Sequence, residues 1–311
     1  KTRGRIHQMN ASRKNQLSYL FFIILAILAI YTVFQDNDMG MVAASLTKMK
    51  MSYLLTAALA ALVFTMLEGV MIWYLLRGIQ GTAKFKDCIR YSFVGFLYSG
   101  ITPSATGGQP MQLYHMKRDG NDLSASMVVL MTVALVYKLV LVLMGIAMVL
   151  FGFPVLKENL GNYLHLFYLG MFLNTALVVV LLVVMIFPGF ARWMILRMEN
   201  LLVRVRILKK SSWRTARISQ FIESYQHAVQ FLLRHQKQVA VVILATFGQR
   251  CLVFILPYIV YRGFGLEGAD ALTILMIQMS IYLAVDMLPL PGAQGITELM
   301  YKRAFRDVFT V

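Results

Sequence analysis

Long apolar runs separated by short polar connectors dominate the chain. Runs at Leu17–Phe34, Met51–Leu76, Leu123–Phe151, Leu164–Phe187 and Val239–Val260 are each long enough to cross a hydrocarbon core. The pattern therefore predicts an all-α, polytopic membrane bundle. A different rhythm runs from Arg214 to Lys237. There Ile218, Phe221, Ile222, Tyr225, Val229, Leu232 and Leu233 fall on one helical stripe between basic residues, which predicts an amphipathic helix. Its apolar face either lies on the lipid interface or packs under the bundle.

Two stretches break the apolar pattern in the same way. In the first, TPSATGGQP, Pro103 and the Gly107-Gly108 pair interrupt a helix that resumes at Gln109. In the second, LPLPGAQGITELMY, Pro291 and Gly295 repeat the four-residue spacing of Pro103 and Gly107, and a helix follows from about Ile296. Broken backbone at membrane depth must be buried in protein or line a polar cavity. Two breaks in corresponding places predict an internal repeat with the working site between its halves. The first element is read as a re-entrant pair of half-helices that enters and leaves by one face, with a pair of short crossing helices as the alternative. The second, led in by Ala269–Met287, approaches from the other face, so the repeat is expected to be inverted.

Composition agrees with this reading: 59% of the residues are hydrophobic, 14% are charged and mean hydropathy is +0.67. The net charge of +16 invites a nucleic-acid reading, but its placement argues against one. Before Ala269, segments assigned to one face hold 21 Lys or Arg, and those assigned to the other hold 4. That asymmetry is the positive-inside signature. It predicts a multi-pass membrane protein with a cytoplasmic N-terminus, and no direct nucleic-acid binding is expected. Residues 190–237 form a basic cytoplasmic segment within what is read as a single transmembrane domain, 1–311. The helix after Gly295 is left short, so a further return span is expected beyond Val311. Cys88 and Cys251 imply no disulfide framework, and the five histidines lack metal-ligand spacing. No cofactor and no metal are expected.

Five charged residues fall inside apolar segments: Glu68, Lys138, Arg250, Asp286 and Glu298. Such residues usually face the protein interior or a watery path. The expected pairs are Arg250 with Asp286 or Glu298, and Glu68 with Lys138. Thr102, Ser104, Thr106 and Gln109 at the first break, and Gln294 and Thr297 at the second, add hydrogen-bond donors. A half-helix start can hold an anion. Together these features predict a dual-polarity cavity for a phospholipid headgroup.

The segments GITPSATGGQPMQLYHMKRDG and LPLPGAQGITELMY resemble the two marked regions of the lysylphosphatidylglycerol synthase transmembrane, or flippase, domain family. That family includes the N-terminal membrane half of bifunctional multiple peptide resistance factor proteins, which are phosphatidylglycerol lysyltransferases. Thr102, Pro103, Gly107, Gly108 and Gln109 match the first region, and Pro291, Gly292, Gly295 and Glu298 the second. Gln109 stands where many relatives have Glu, and Ala293-Gln294 replaces a more glycine-rich turn. The resemblance implies movement of aminoacylated phosphatidylglycerol to the outer leaflet, with resistance to cationic antimicrobial peptides as the consequence. Its implied partners are an anionic or aminoacylated phospholipid and a C-terminal or separate aminoacyltransferase domain; a homo-oligomer is left open. Two other classes are carried beside it, a membrane scaffold for such a transferase and an intramembrane lipid-modifying enzyme.

Overall fold

The computed structural model describes residues 40, 44, 47–102, 106–204, 212–287, 294–306 and 308–309. The expected span at Leu17–Phe34 and the residues Pro103, Ser104 and Pro291 lie outside the described residues, as do Gly292 and Ala293. Every regular element among the described residues is helical. In chain order they are α1 (Met51–Gln80), α2 (Phe85–Ile101), α3 (Gly108–Arg118), α4 (Leu123–Phe151), α5 (Phe153–Leu160), α6 (Leu164–Ile186), α7 (Pro188–Arg204), α8 (Ser212–Arg234), α9 (Gln236–Gly263), α10 (Ala271–Val285) and α11 (Gln294–Ala304). A 3-10 turn, Gly161–Tyr163, joins α5 to α6. Among the described residues, four helical stretches are long and apolar enough to cross a membrane: α1, α4, the run Phe153–Ile186 and α9.

α1 and α9 run antiparallel along their whole lengths. Lys50 N donates to Gly263 O at 3.1 Å at one end, Gln249 Nε2 to Phe64 O at 2.7 Å in the middle, and Gly78 lies against Gln238 at the other. These contacts define a basic end of the bundle, with Arg77, Lys84, Lys86, Lys117, Arg118 and Lys237, and an opposite end marked by Lys50, Gly152 and Gly263. α4 starts at the basic end, where the Asp122 carboxylate caps it by accepting from Ala125 N at 2.8 Å. A core of Ile72, Leu75, Leu141, Phe167, Phe254 and Ile277, none more than 1% exposed, joins α1, α4, α6, α9 and α10. Outward faces carry exposed apolar side chains such as Leu55, Leu59, Leu150, Phe172, Val180 and Leu244, as expected where the solvent is lipid.

Both interrupted elements are helical hairpins. In the first, Gly108 of α3 lies against Ser99 and the Gly95 carbonyl of α2, Gly95 lies against Gln112, and Tyr91 near the start of α2 donates to Asp119 beyond α3 at 2.8 Å. The arms are antiparallel, and the hairpin opens at the basic end. Its base is clasped by Arg90, which meets Asp119 at 2.6 Å, and by Asn121, which donates to the Tyr91 hydroxyl at 3.1 Å. In the second hairpin, Tyr301 of α11 donates to Gln278 of α10, the Arg303 guanidinium comes back to Gly161, and Phe309 meets Tyr261 with ring centroids 5.6 Å apart. This hairpin opens at the opposite end.

The 15 residues of α10 rise about 22 Å, short of a hydrocarbon core of about 30 Å. The 11 residues of α3 and of α11 rise still less. The two hairpins open at opposite ends of the bundle, the inverted arrangement expected from the two breaks.

Several boundaries differ from the sequence reading. α3 starts at Gly108, one residue earlier than expected, and Gly107 keeps an ordinary right-handed backbone. Gly107 is instead needed for space, because a Cβ there would lie 2.6 Å from the Thr102 side chain. The segment after Gly152 is a helix rather than an irregular turn: Pro154 sits in the first turn of α5, and Leu156 and Leu160 are buried under the second hairpin. α8 packs under the bundle. Ile222, Tyr225, Val229 and Leu232 are buried, and Tyr225 donates to Val184 O at 3.2 Å, whereas Leu233 is exposed and leaves the stripe.

Candidate functional site

The middle of each long helix carries a polar group that cannot face lipid. Glu68 lies near the centre of α1, Tyr137 and Lys138 near the centre of α4, and Gln249 and Arg250 near the centre of α9. α10 brings Tyr282, and Asp286 just past its end, to the same depth. The tip of the first hairpin supplies Ser99, Thr106, Gly108, Gln109 and Gln112. These groups line one cavity of about 580 Å³, completed by apolar side chains including Phe64, Phe96 and Leu130.

Two close backbone approaches hold it in place. A Cβ at Gly170 of α6 would stand 2.1 Å from Leu283 O and 2.9 Å from Ala284 Cα, so only glycine lets α10 lie close enough to deliver Asp286. At Gly108 a Cβ would stand 2.8 Å from the Gly95 carbonyl oxygen, so glycine also sets the spacing of the α2–α3 tip.

The expected pairings are corrected by this geometry. Asp286 pairs with Lys138, not with Arg250, and its other oxygen accepts from the Tyr137 hydroxyl. Glu68 does not meet Lys138; its Oε1 accepts from Gln112 Nε2 at 2.6 Å. Arg250 meets no carboxylate among the described residues. Its guanidinium lies between two rings, 4.7 Å from the Phe64 centroid and 4.4 Å from that of Tyr137. One terminal nitrogen donates to Gln249 Oε1 at 3.0 Å, another lies 3.5 Å from the Tyr282 hydroxyl, and Nε is buried without a partner. The physical reason is reach. Lys138 occupies the wall on which α10 ends, while the Phe64 and Tyr137 rings hold Arg250 on its own side of the cavity.

Six of the predicted site residues therefore meet in the cavity wall: Glu68, Gly108, Gln109, Lys138, Arg250 and Asp286. Thr102 and Gly107 form the turn beside it, where Thr102 Oγ1 donates to Tyr98 O at 2.6 Å and accepts from Gly107 N at 2.9 Å. Gly295 belongs to α11, as does half-buried Glu298, which lies outside the cavity lining. Gln112, Tyr137 and Tyr282 were not anticipated. A helical-register signal does exist for them: Gln112 follows Gln109 by three residues, Tyr282 precedes Asp286 by four, and Tyr137 adjoins Lys138.

Chemically, the cavity can hold an anion and a cation together. Arg250 offers a fork of N–H donors at low dielectric, and the N-cap residue of α3 is Gly107, which has no side chain to cap the first turn that faces the same space. Glu68 offers a carboxyl group that accepts, among the described residues, from the neutral amide of Gln112.

Comparison with curated proteins and with solved structures gives no match. The family description "Lysylphosphatidylglycerol synthase TM region" matches residues 17–306, and so takes in both hairpins and every described residue of the cavity. With nearly its whole length matched, the chain belongs to the lysylphosphatidylglycerol synthase TM region family.

Proposed function

We propose that this membrane domain moves aminoacylated phosphatidylglycerol from the inner to the outer leaflet, carrying the headgroup through the mid-depth cavity while the acyl chains stay in lipid. The observation that carries this reading is Arg250, a 4%-exposed cation with no carboxylate partner among the described residues and a buried Nε that lacks an acceptor. A buried charge is tolerated when something pairs with it. A phosphodiester supplies what the guanidinium lacks, in the fork geometry that arginine favours. The volume of about 580 Å³ suits a headgroup rather than a whole lipid.

The two hairpins support alternating exposure. They open at opposite ends of the bundle, so movement of one against its neighbours would open the cavity to one face, and movement of the other to the second face. The basic end faces the cytoplasm on this reading, in keeping with the positive-inside rule. The family's printed description supports a role in handling lysylphosphatidylglycerol, and an aminoacyltransferase on the same or another chain is the partner that would supply the lipid.

The test is leaflet movement of fluorescent aminoacylated phosphatidylglycerol in liposomes containing the protein, beside Arg250→Ala and Arg250→Lys. We expect Arg250→Ala to slow movement by at least about tenfold, with partial recovery in Arg250→Lys, where the charge survives without the fork. Wild-type rates in a folded Arg250→Ala protein would overturn the proposal.

A further inference from the structure

The four ionisable side chains in the cavity wall do not divide into two ion pairs among the described residues. Lys138 and Asp286 neutralise each other, and Tyr137 occupies the second oxygen of Asp286, so this couple is closed. Glu68 and Arg250 are open. They line one cavity, yet no ion pair joins them among the described residues. Each makes do with a neutral amide: Gln112 Nε2 donates to Glu68 at 2.6 Å, and Gln249 Oε1 accepts from Arg250 at 3.0 Å. A carboxylate and a guanidinium that share a buried cavity without closing on one another form a seat for a ligand that comes between them. That ligand must present opposite charges in the matching order.

Resting on the reading that a lipid headgroup occupies this cavity, we infer that the seat is matched to a zwitterionic headgroup carrying one phosphodiester and one ammonium, with the phosphodiester at Arg250 and the ammonium at Glu68. Charge balance then orders the lipids. Alanyl-phosphatidylglycerol has one group of each sign and satisfies both open residues. Unmodified phosphatidylglycerol supplies only the anion and leaves Glu68 buried without a cation. Lysyl-phosphatidylglycerol brings a second ammonium, which the cavity neutralises only by drawing Asp286 away from Lys138. That exchange leaves a lysine that is 8% exposed without its counter-charge.

The experiment compares alanyl-, lysyl- and unmodified phosphatidylglycerol, each fluorescently labelled, for leaflet movement in liposomes of otherwise identical composition. Wild-type protein should move the alanyl lipid about tenfold faster than either of the others, the ratio that about 1.4 kcal/mol produces. In Glu68→Gln, which keeps a hydrogen-bonding group for Gln112, the alanyl-to-unmodified ratio should fall below about threefold. The wild-type comparison needs no variant, so a folding defect in Glu68→Gln does not remove the test. Equal movement of all three lipids, or faster movement of the lysyl lipid, overturns this inference and leaves lipid translocation standing. Failure of folded protein to move any of them overturns both.

Discussion

At the scale of single residues, the Lys138–Asp286 pair and Arg250 do different work despite their shared depth. The closed pair is a structural tie between α4 and the end of α10. Removing one member strands the other, which typically costs about 3–5 kcal/mol, whereas replacing both with apolar residues of similar volume is often close to neutral. Lys138→Met alone should therefore lower the melting temperature in detergent markedly, and Lys138→Met/Asp286→Leu should recover most of it. A double variant as unstable as the single one would contradict a purely pairwise tie. The sequence marked all four charged residues of the cavity wall, because an ionisable residue in an apolar run is conspicuous whatever its partner. It did not reveal who pairs with whom. That depends on where α10 stops relative to α4, and on two aromatic rings, Phe64 and Tyr137, whose hold on Arg250 has no periodic signature.

At the scale of elements, the two hairpins rely on close packing at their arms and, in the first, on polar clasps at the base. The carboxyl group of Asp119 lies outside the apolar spans. Burial raises its pKa, but the Tyr91 hydroxyl and the Arg90 and Arg118 charges outweigh that effect and hold it below the ordinary value of 3.8. A depressed pKa in the folded state means that the clasp contributes stability above the unfolded value and loses it as pH falls through the folded one. Asp119→Asn should thus melt lower than wild type at neutral pH, and the gap should narrow below about pH 4. A gap independent of pH would show that the charge is not what matters.

The second hairpin depends on Gly170. Gly170→Leu would push α10 away from α6, since the obstructing atoms are backbone, and should destabilise the fold by about 1–3 kcal/mol, the usual range for overpacking. The same substitution at Gly248, where an added Cβ meets nothing, should be nearly silent in a detergent melt. Both hairpins were legible from their Pro and Gly punctuation, as was α4 from an apolar run that ends near Phe151. The short helix α5 was not. Its eight residues follow a Gly-Phe-Pro triplet that reads as a turn, and their helicity comes from packing Leu156 and Leu160 into the core.

At the scale of the whole molecule, the inverted placement of two hairpins that stop at mid-depth makes a charged cavity possible in so apolar a chain. Long helices supply an apolar exterior, and α2, α3 and the end of α10 bring polar side chains to the central cavity. Charge distribution along the sequence already separated the two ends. The polar cavity was foreseeable only as a requirement, because no local pattern states that Glu68 and Arg250, 182 positions apart, share one space.

The most direct test of a hydrated headgroup cavity is thiol accessibility at its wall. In a protein with Cys88 and Cys251 replaced by Ser, Gln109→Cys should react with a membrane-impermeant thiol reagent in liposomes, and aminoacylated phosphatidylglycerol should slow that reaction relative to a lipid lacking the phosphodiester. Leu244→Cys, on the exposed apolar face of α9, should stay unreactive under both conditions. A Gln109→Cys thiol that is inert from both faces, or that reacts at a rate indifferent to the lipid, would contradict the account.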